Sequence, residues 1–298
     1  MTVRVGTSGW AYPEWRGAYY PPEVTHRREL DYVAGRLGTV ELNGSFYSLQ
    51  RPASYRAWRD RTPESFVFAV KGHRYVTHLR RLRDPHVTVA NFLASGVLEL
   101  GEKLGPVLWQ FPERLSFDPG LVAEFLSALP RNGDAAAALV ADHATMLPPD
   151  PGPRPPVPRL RHALEVRHPT FGSARFVELL RAHRVALVAA DTAGKFPYFD
   201  DVTADFTYAR LHGATELYAS TYDTETLTRW ATKIEKWRTV GDVYVYFDNT
   251  AKAAAPHDAE RLAALVNGVL TGPRPSPGRV CGVRTSGISR TLRHGRSR

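Results

Sequence analysis

Eight times along the chain a short run of β-branched or aromatic residues stops at a glycine or at a polar or charged residue, and a stretch of helical periodicity usually separates one run from the next. The runs end at Gly6, Glu41, Lys71, Gln110, Glu165, Asp191, His212 and Asp248. Strands that alternate with helices imply parallel βαβ units, and eight such units close into a TIM (β/α)8 barrel, an α/β fold whose chemistry gathers where the strands end. The eight terminal residues are therefore expected at one mouth.

The pattern predicts strands at Val3 to Gly6, Thr39 to Leu42, Phe66 to Val70, Val107 to Gln110, Ala163 to Val166, Ala186 to Ala190, Phe206 to Leu211 and Val243 to Phe247. Helices are expected at Arg28 to Leu37, Ser54 to Arg61 and Asn91 to Leu104, and then through Leu129 from an Asp118–Pro119 cap. Three more follow at Ala174 to His183, Thr226 to Arg238 and His257 to Leu270. Two irregularities are expected. A long connector runs from Ala135 to Arg161, with seven prolines among the eleven residues from Pro148 to Pro158, too rigid for helix and too poor in donors for sheet. From Thr192 to Asp205 no helix is expected. Trp230 and Trp237, seven apart, could face the core or an interface.

Composition changes little of this. With 43% hydrophobic and 23% charged residues among 298, the chain is an ordinary globular one, read as one barrel over residues 1–270 with a tail over 271–298. No apolar run approaches the roughly 20 residues that cross a bilayer, and the first strand begins almost at Met1, so a cytoplasmic protein without membrane association is expected. Cys281 is the only cysteine, which excludes an internal disulfide or a thiolate cluster within one chain. The formal net charge of +9 looks like a nucleic-acid signature until it is located. Arg274, Arg279, Arg284, Arg290, Arg293, Arg296 and Arg298 lie in a tail with no acidic residue, and removing these seven leaves +2 for residues 1–270. Such a tail is a disordered solubilising terminus or a non-specific binder of nucleic acid.

The candidate chemistry lies at the strand ends. Glu41, Glu165, Asp191 and Asp248 are carboxylates which, with His212, could hold a divalent metal or else pair with nearby arginines. Lys71, His73, Arg74 and His78 follow strand three, Arg167 and His168 follow strand five, and Arg210 alternates with His212 on the lumen side of strand seven. Guanidinium forks aimed at one cavity suggest an anionic ligand; the competing account is internal neutralisation, with Arg167 and Arg210 paired to Glu165 or Asp248. Trp10, Phe46, Tyr47, Trp109, Phe111, Tyr198 and Phe199 could stack on a base or sugar, or be core. Gln110 and Asn249 could hydrogen-bond the same ligand.

The segments VGTSGW (5–10), VELNGSFY (40–47), FAVKGHRYVTH (68–78), LWQFP (108–112), LEVRHPTF (164–171), ARLHG (209–213) and VYFDNT (245–250), in this order, resemble the YecE-like family, domain of unknown function 72. The resemblance spans residues 3–270 and leaves the tail outside. It implies a TIM barrel with a mouth built from Trp10, Glu41, Lys71, Arg74, Gln110, Glu165, Arg167, His168, Asp191, Arg210, His212 and Asn249. Family members commonly carry asparagine where this chain has Asp248. No settled reaction comes with the resemblance, so the activity expected here rests on the residues. The first expectation is an acid/base enzyme, a hydrolase for example, acting on a phosphate-bearing or nucleotide-like substrate. Arg74, Arg167 and Arg210 would bind it, Glu165 or Asp191 act as base, and Lys71 or His212 as acid. The second is metal-dependent hydrolysis or isomerisation through Glu165, Asp191 and His212. The third is a non-enzymatic nucleic-acid partner.

Overall fold

A computed structural model describes residues 1–146 and 154–271, which form a closed barrel of eight parallel strands in sequential order. The strands are β1 (Val3–Ser8), β2 (Thr39–Leu42), β3 (Val67–Lys71), β4 (Leu104–Gln110), β5 (His162–Glu165), β6 (Ala186–Asp191), β7 (Phe206–Leu211) and β8 (Asp242–Phe247). Closure comes from β1 lying against β8, with Val3 opposite Val243 and Thr7 opposite Phe247.

Alternation along each strand sorts residues between two cores. The lumen takes Val67, Ala69, Leu108, Ala163, Ala186, Val188 and Ala190, together with Phe206, Tyr208, Tyr244 and Tyr246. Small residues on β3, β5 and β6 thus face large rings on β7 and β8, where the Tyr208 and Tyr246 rings lie 5.0 Å apart. The outward residues pack under the helices. Trp109 of β4, fully buried, meets Phe92 at 5.4 Å and Phe125 at 5.5 Å between ring centroids. Each such buried aromatic contributes on the order of 2–3 kcal/mol. Gly6 is required where β1 meets β2, since a Cβ there would sit 2.0 Å from the Thr39 carbonyl oxygen.

The helices between strands are α1 (Glu29–Ala34), the single turn α2 (Gly44–Tyr47), α3 (Pro52–Asp60), α4 (Pro85–Ala94), α5 (Pro119–Ser127), α6 (Gly133–His143), α7 (Ala174–Ala182), α8 (Thr224–Arg238) and α9 (Ala254–Thr271). As the Asp118–Pro119 pair implies, the Asp118 carboxylate caps α5 by accepting from the Gly120 and Leu121 amides at 2.9 and 3.0 Å. Trp230 and Trp237 are core, both buried on α8 with rings 6.2 Å apart.

Two expectations need correction. The helix read at Asn91 to Leu104 starts earlier, as α4, and stops at Ala94, because Gly96 turns the chain with φ +105° where a Cβ would strike Pro52. A 3-10 segment, Val97–Lys103, then leads into β4. The connector from Ala135 is also not irregular at its start. Asn132 caps Ala135 at 2.8 Å and the alanine-rich run continues it as α6. Residues 154–160 have no regular structure, nor does the stretch from 192 to 205. Part of the proline run, residues 147–153, lies outside the described residues, as does the tail beyond Thr271 with Cys281. No described helix is long and apolar enough to cross a membrane.

Candidate functional site at the barrel mouth

Five strand ends meet on one arginine. Arg210, fully buried on the lumen face of β7, forks onto Glu41 of β2 with Nη2 to Oε1 at 2.8 Å and Nε to Oε2 at 3.1 Å. Its Nη1 donates to Glu165 Oε2 of β5 at 2.7 Å, and Nη2 also reaches Asp248 Oδ2, just past β8, at 3.0 Å. Ser8 at the tip of β1 and Tyr208, one lumen position below Arg210, each donate a hydroxyl to Glu41, at 2.8 and 2.5 Å. Burial alone would raise the Glu165 and Asp248 carboxyls. Arg210 overrides it, holding Glu165 well below the usual range and Asp248 at about 2. Burial likewise opposes the Arg210 charge, and Glu41 foremost reverses this, raising its pKa further. His212 completes the set, Nδ1 3.0 Å from Asp248 and Nε2 3.8 Å from Glu165, with the Tyr218 ring edge-on above it at 5.4 Å.

The β3 corner is built differently. Gly72 follows Lys71 because a Cβ there would enter the Trp109 ring, 2.3 Å away, and the Gly72 amide instead bonds the Leu108 carbonyl at 2.8 Å. Ser45 of α2 donates to the Lys71 carbonyl at 2.7 Å, and the next residue, Phe46, lays its ring 4.4 Å from Lys71 Nζ. Lys71 is 8% exposed and, among the described residues, its amine has neither a hydrogen bond nor a carboxylate within 4 Å. Burial first, and then Arg210, lowers its pKa to about 8 against the pull of Asp248, Glu165 and Glu41. His78, edge-on to Phe46 at 5.0 Å, is pushed down to about 4 by burial and then by Lys71, Arg167 and Arg74, so it is neutral at pH 7. Arg167 leans over the Phe196 ring at 4.7 Å while bonding Glu165 Oε1 at 2.9 Å.

The other expected residues are placed as follows. Gln110 is buried at the lumen end of β4, beside Glu165 in register. Arg74 is exposed at the rim. Trp10 lines a cleft of about 310 Å³ beside the mouth with Tyr12, Asn43, Tyr47, Gln50 and Trp58. Three assignments, Asp191, Asn249 and Arg210, are corrected. Asp191 faces outward: Ala186, Val188 and Ala190 occupy the lumen side of β6, so Asp191 points to the helix layer, where it accepts from the Ala193 amide at 3.4 Å and burial raises its pKa. Asn249, also on the outer side, ties Ser220 and Asp258 together at 2.9 Å each. His168 turns one ring nitrogen to its own loop, Nδ1 lying 2.9 Å from Thr170 Oγ1. Arg210 has no free donor for a ligand. The divalent-metal set is consequently not assembled. Glu165 has each oxygen on an arginine, Asp191 points away, and among the described residues no group of three His, Cys, Asp or Glu is placed to hold a metal. Of the proposed stacking rings, Trp109 and Phe111 are fully buried core, while Tyr47 and Tyr198 are exposed at the rim.

Ser8 and Tyr208 were absent from the expected site, and Phe46, expected as a stacking ring or core, covers the Lys71 amine. Period two from Gly6 would have found Ser8, and from Arg210 it would have found Tyr208. A wider hollow of about 500 Å³ opens at the opposite end of the barrel, lined by Arg131, Arg159, Arg161 and Arg184 with Asp205, away from the strand ends where this fold carries chemistry.

The chain is 24% identical to the UPF0759 protein YecE of Escherichia coli K12 over 281 residues, covering 85% of this chain and 89% of that one. It is 29% identical to the UPF0759 protein YunF of Bacillus subtilis over 115 residues, a match that spans 40% of YunF and 37% of this chain. A crystal structure of a DUF72 family protein from Thermotoga maritima aligns with a TM-score of 0.70 at 26% identity, over 90% of this chain and all of that one. Another, from Enterococcus faecalis, aligns at 0.67 with 18% identity over 89% of this chain and 96% of that one, a likeness of fold alone. The model of the protein family of unknown function DUF72 matches residues 4–279, reaching into the arginine-rich segment rather than stopping at 270, and the chain belongs to that family.

Proposed function

We propose that the protein is an enzyme whose barrel mouth binds a small substrate bearing a phosphate or carboxylate and moves a proton on it. One observation carries the reading: neither Lys71 nor Arg74, at the end of β3, has a carboxylate partner among the described residues, and beside burial their charge and that of Arg167 keep the His78 imidazole neutral. Unpaired cations around a neutral imidazole suit an anion. Arg74 and Arg167 would hold it. Lys71, titrating near neutrality, would give or take the proton, since a group poised near working pH is the efficient one. Glu165 is a poor base, because its carboxyl is held well below the usual range with both oxygens on arginines. Its role, with Glu41 and Asp248, is to hold Arg210.

The test is a panel of phosphomonoesters, sugar phosphates and oxo acids, with inorganic phosphate as a binding probe followed by thermal stabilisation. Turnover is expected to vanish in Lys71→Ala, and KM and the phosphate Kd to rise about tenfold or more in Arg74→Ala. Turnover indifferent to both substitutions would remove the reading.

A further inference from the structure

We infer that Lys71 is a covalent nucleophile, whose Nζ forms an imine with the carbonyl carbon of an aldehyde or ketone bearing an anionic group. The inference rests on the anion-binding reading and adds the reacting atom to it.

The chain has 33 arginines and only six lysines, so its positive charge is mostly guanidinium. Guanidinium is never a nucleophile near neutral pH, whereas an amine is once it loses its proton. Of the six, Lys103 donates to the Arg59 and Thr62 carbonyls at 2.6 and 2.7 Å, and Lys233 is tied to Asp200 and Tyr198 at 2.5 Å each. Lys195, Lys236 and Lys252 are not buried. Lys71 alone is buried, and an ammonium there would want three acceptors where the structure supplies an aromatic face. The carboxylates that could hold it as a cation, Glu41, Glu165 and Asp248, are instead collected by Arg210 on the facing wall. Such an arrangement loosens the lysine's hold on its proton: Arg210 adds positive charge nearby while engaging the three anions, and Phe46 covers the amine.

The step balances without a redox partner. The Nζ lone pair forms the C–N bond as the carbonyl π pair moves to oxygen. That oxygen takes one proton from Nζ and one from solvent and leaves as water, giving a protonated imine that can acidify the adjacent C–H. Arg74 and Arg167 would hold the anionic end, and the cleft lined by Trp10 and Tyr12 also takes in Ser45 of α2, which fixes the Lys71 carbonyl.

The experiment is reductive trapping on the full chain with pyruvate and with glyceraldehyde 3-phosphate as probes, using sodium cyanoborohydride at pH 7.5, and peptide mass spectrometry to score all six lysines. With its pKa at about 8, Lys71 has about a quarter of its population neutral at that pH, against roughly a thousandth for an exposed lysine. The expected result is a reduced adduct on Lys71 at least about tenfold above any other lysine, suppressed by excess inorganic phosphate and absent in Lys71→Arg. The pH profile of trapping should rise with its midpoint near pH 8; the charges facing the amine are Glu41, Glu165, Arg210, Asp248, Arg74 and Arg167, with the His78 imidazole beside them. Adducts no more frequent on Lys71 than on Lys236 or Lys252 would overturn the inference. If phosphate still stabilises the protein in that case, anion binding stands and only the nucleophile falls; if it does not, both fall.

Discussion

The two walls of the mouth use the same residue types to opposite ends. On the wall made by β1, β2, β5, β7 and β8, every charge is matched, with one guanidinium holding three carboxylates and no donor left over. At the β3 corner an amine is buried against a ring and matched by nothing. A saturated network stabilises geometry and is inert, whereas an unsatisfied group costs stability and keeps reactivity. Charged residues at strand ends therefore need not mark chemistry; the proposed activity falls to the unpaired one.

Breaking the saturated wall should cost most. Arg210→Met strands three buried carboxylates and is expected to lose about 3–5 kcal/mol in urea unfolding, since removing one member leaves uncompensated charge. A loss under about 1 kcal/mol would show the wall to be no network at all.

At the other corner the sign should reverse. The Lys71 pKa is lowered from 10.5 to about 8, so between these values the unfolded chain binds the proton that the folded one has released. Stability from this group is therefore at its lowest below pH 8 and rises as pH climbs from 8 to 10.5. Lys71→Met should raise stability at pH 7 by about 1–3 kcal/mol, flatten that rise and abolish activity. Destabilisation by this substitution would make Lys71 one more structural ion.

Asp248→Asn tests the edge of the saturated wall. Its folded pKa is depressed to about 2, so its contribution is present above the unfolded value near 3.8 and is lost as pH falls towards 2. The amide keeps the shape and loses the charge, which should cost about 1–2 kcal/mol at pH 7 and nothing at pH 2. Asp191→Asn, on the outer face of β6, should change stability by no more than about 0.5–1 kcal/mol and leave phosphate binding untouched. A tenfold loss of binding in that variant would bring Asp191 back into the mouth.

Much of this was legible before any coordinates. Each strand run is short, β-branched and bounded, and local signals of that kind survive folding, so all eight strands lie where the pattern put them. Arg210 and His212 share a face because Leu211 separates them. The same rule on β6, where Ala186, Val188 and Ala190 alternate with Asp191, places Asp191 outside. Reading strand ends as a list rather than by parity put it inside. α6 was hidden by the proline run that follows it, and α4 ran on past Gly96 because the contact with Pro52 that demands a glycine lies over 40 residues away.

By itself the sequence determined the barrel, the strand that bears each ionisable group and, through side-chain alternation, most of the faces. Only the tertiary structure decided which charges meet, because pairing depends on distances between segments far apart in the chain, 169 residues for Arg210 and Glu41, to which no local pattern is sensitive. That pairing separates the saturated carboxylates from the solitary amine: Arg210 is long enough to reach all three acids, and Lys71, held by Ser45 and covered by Phe46, reaches none.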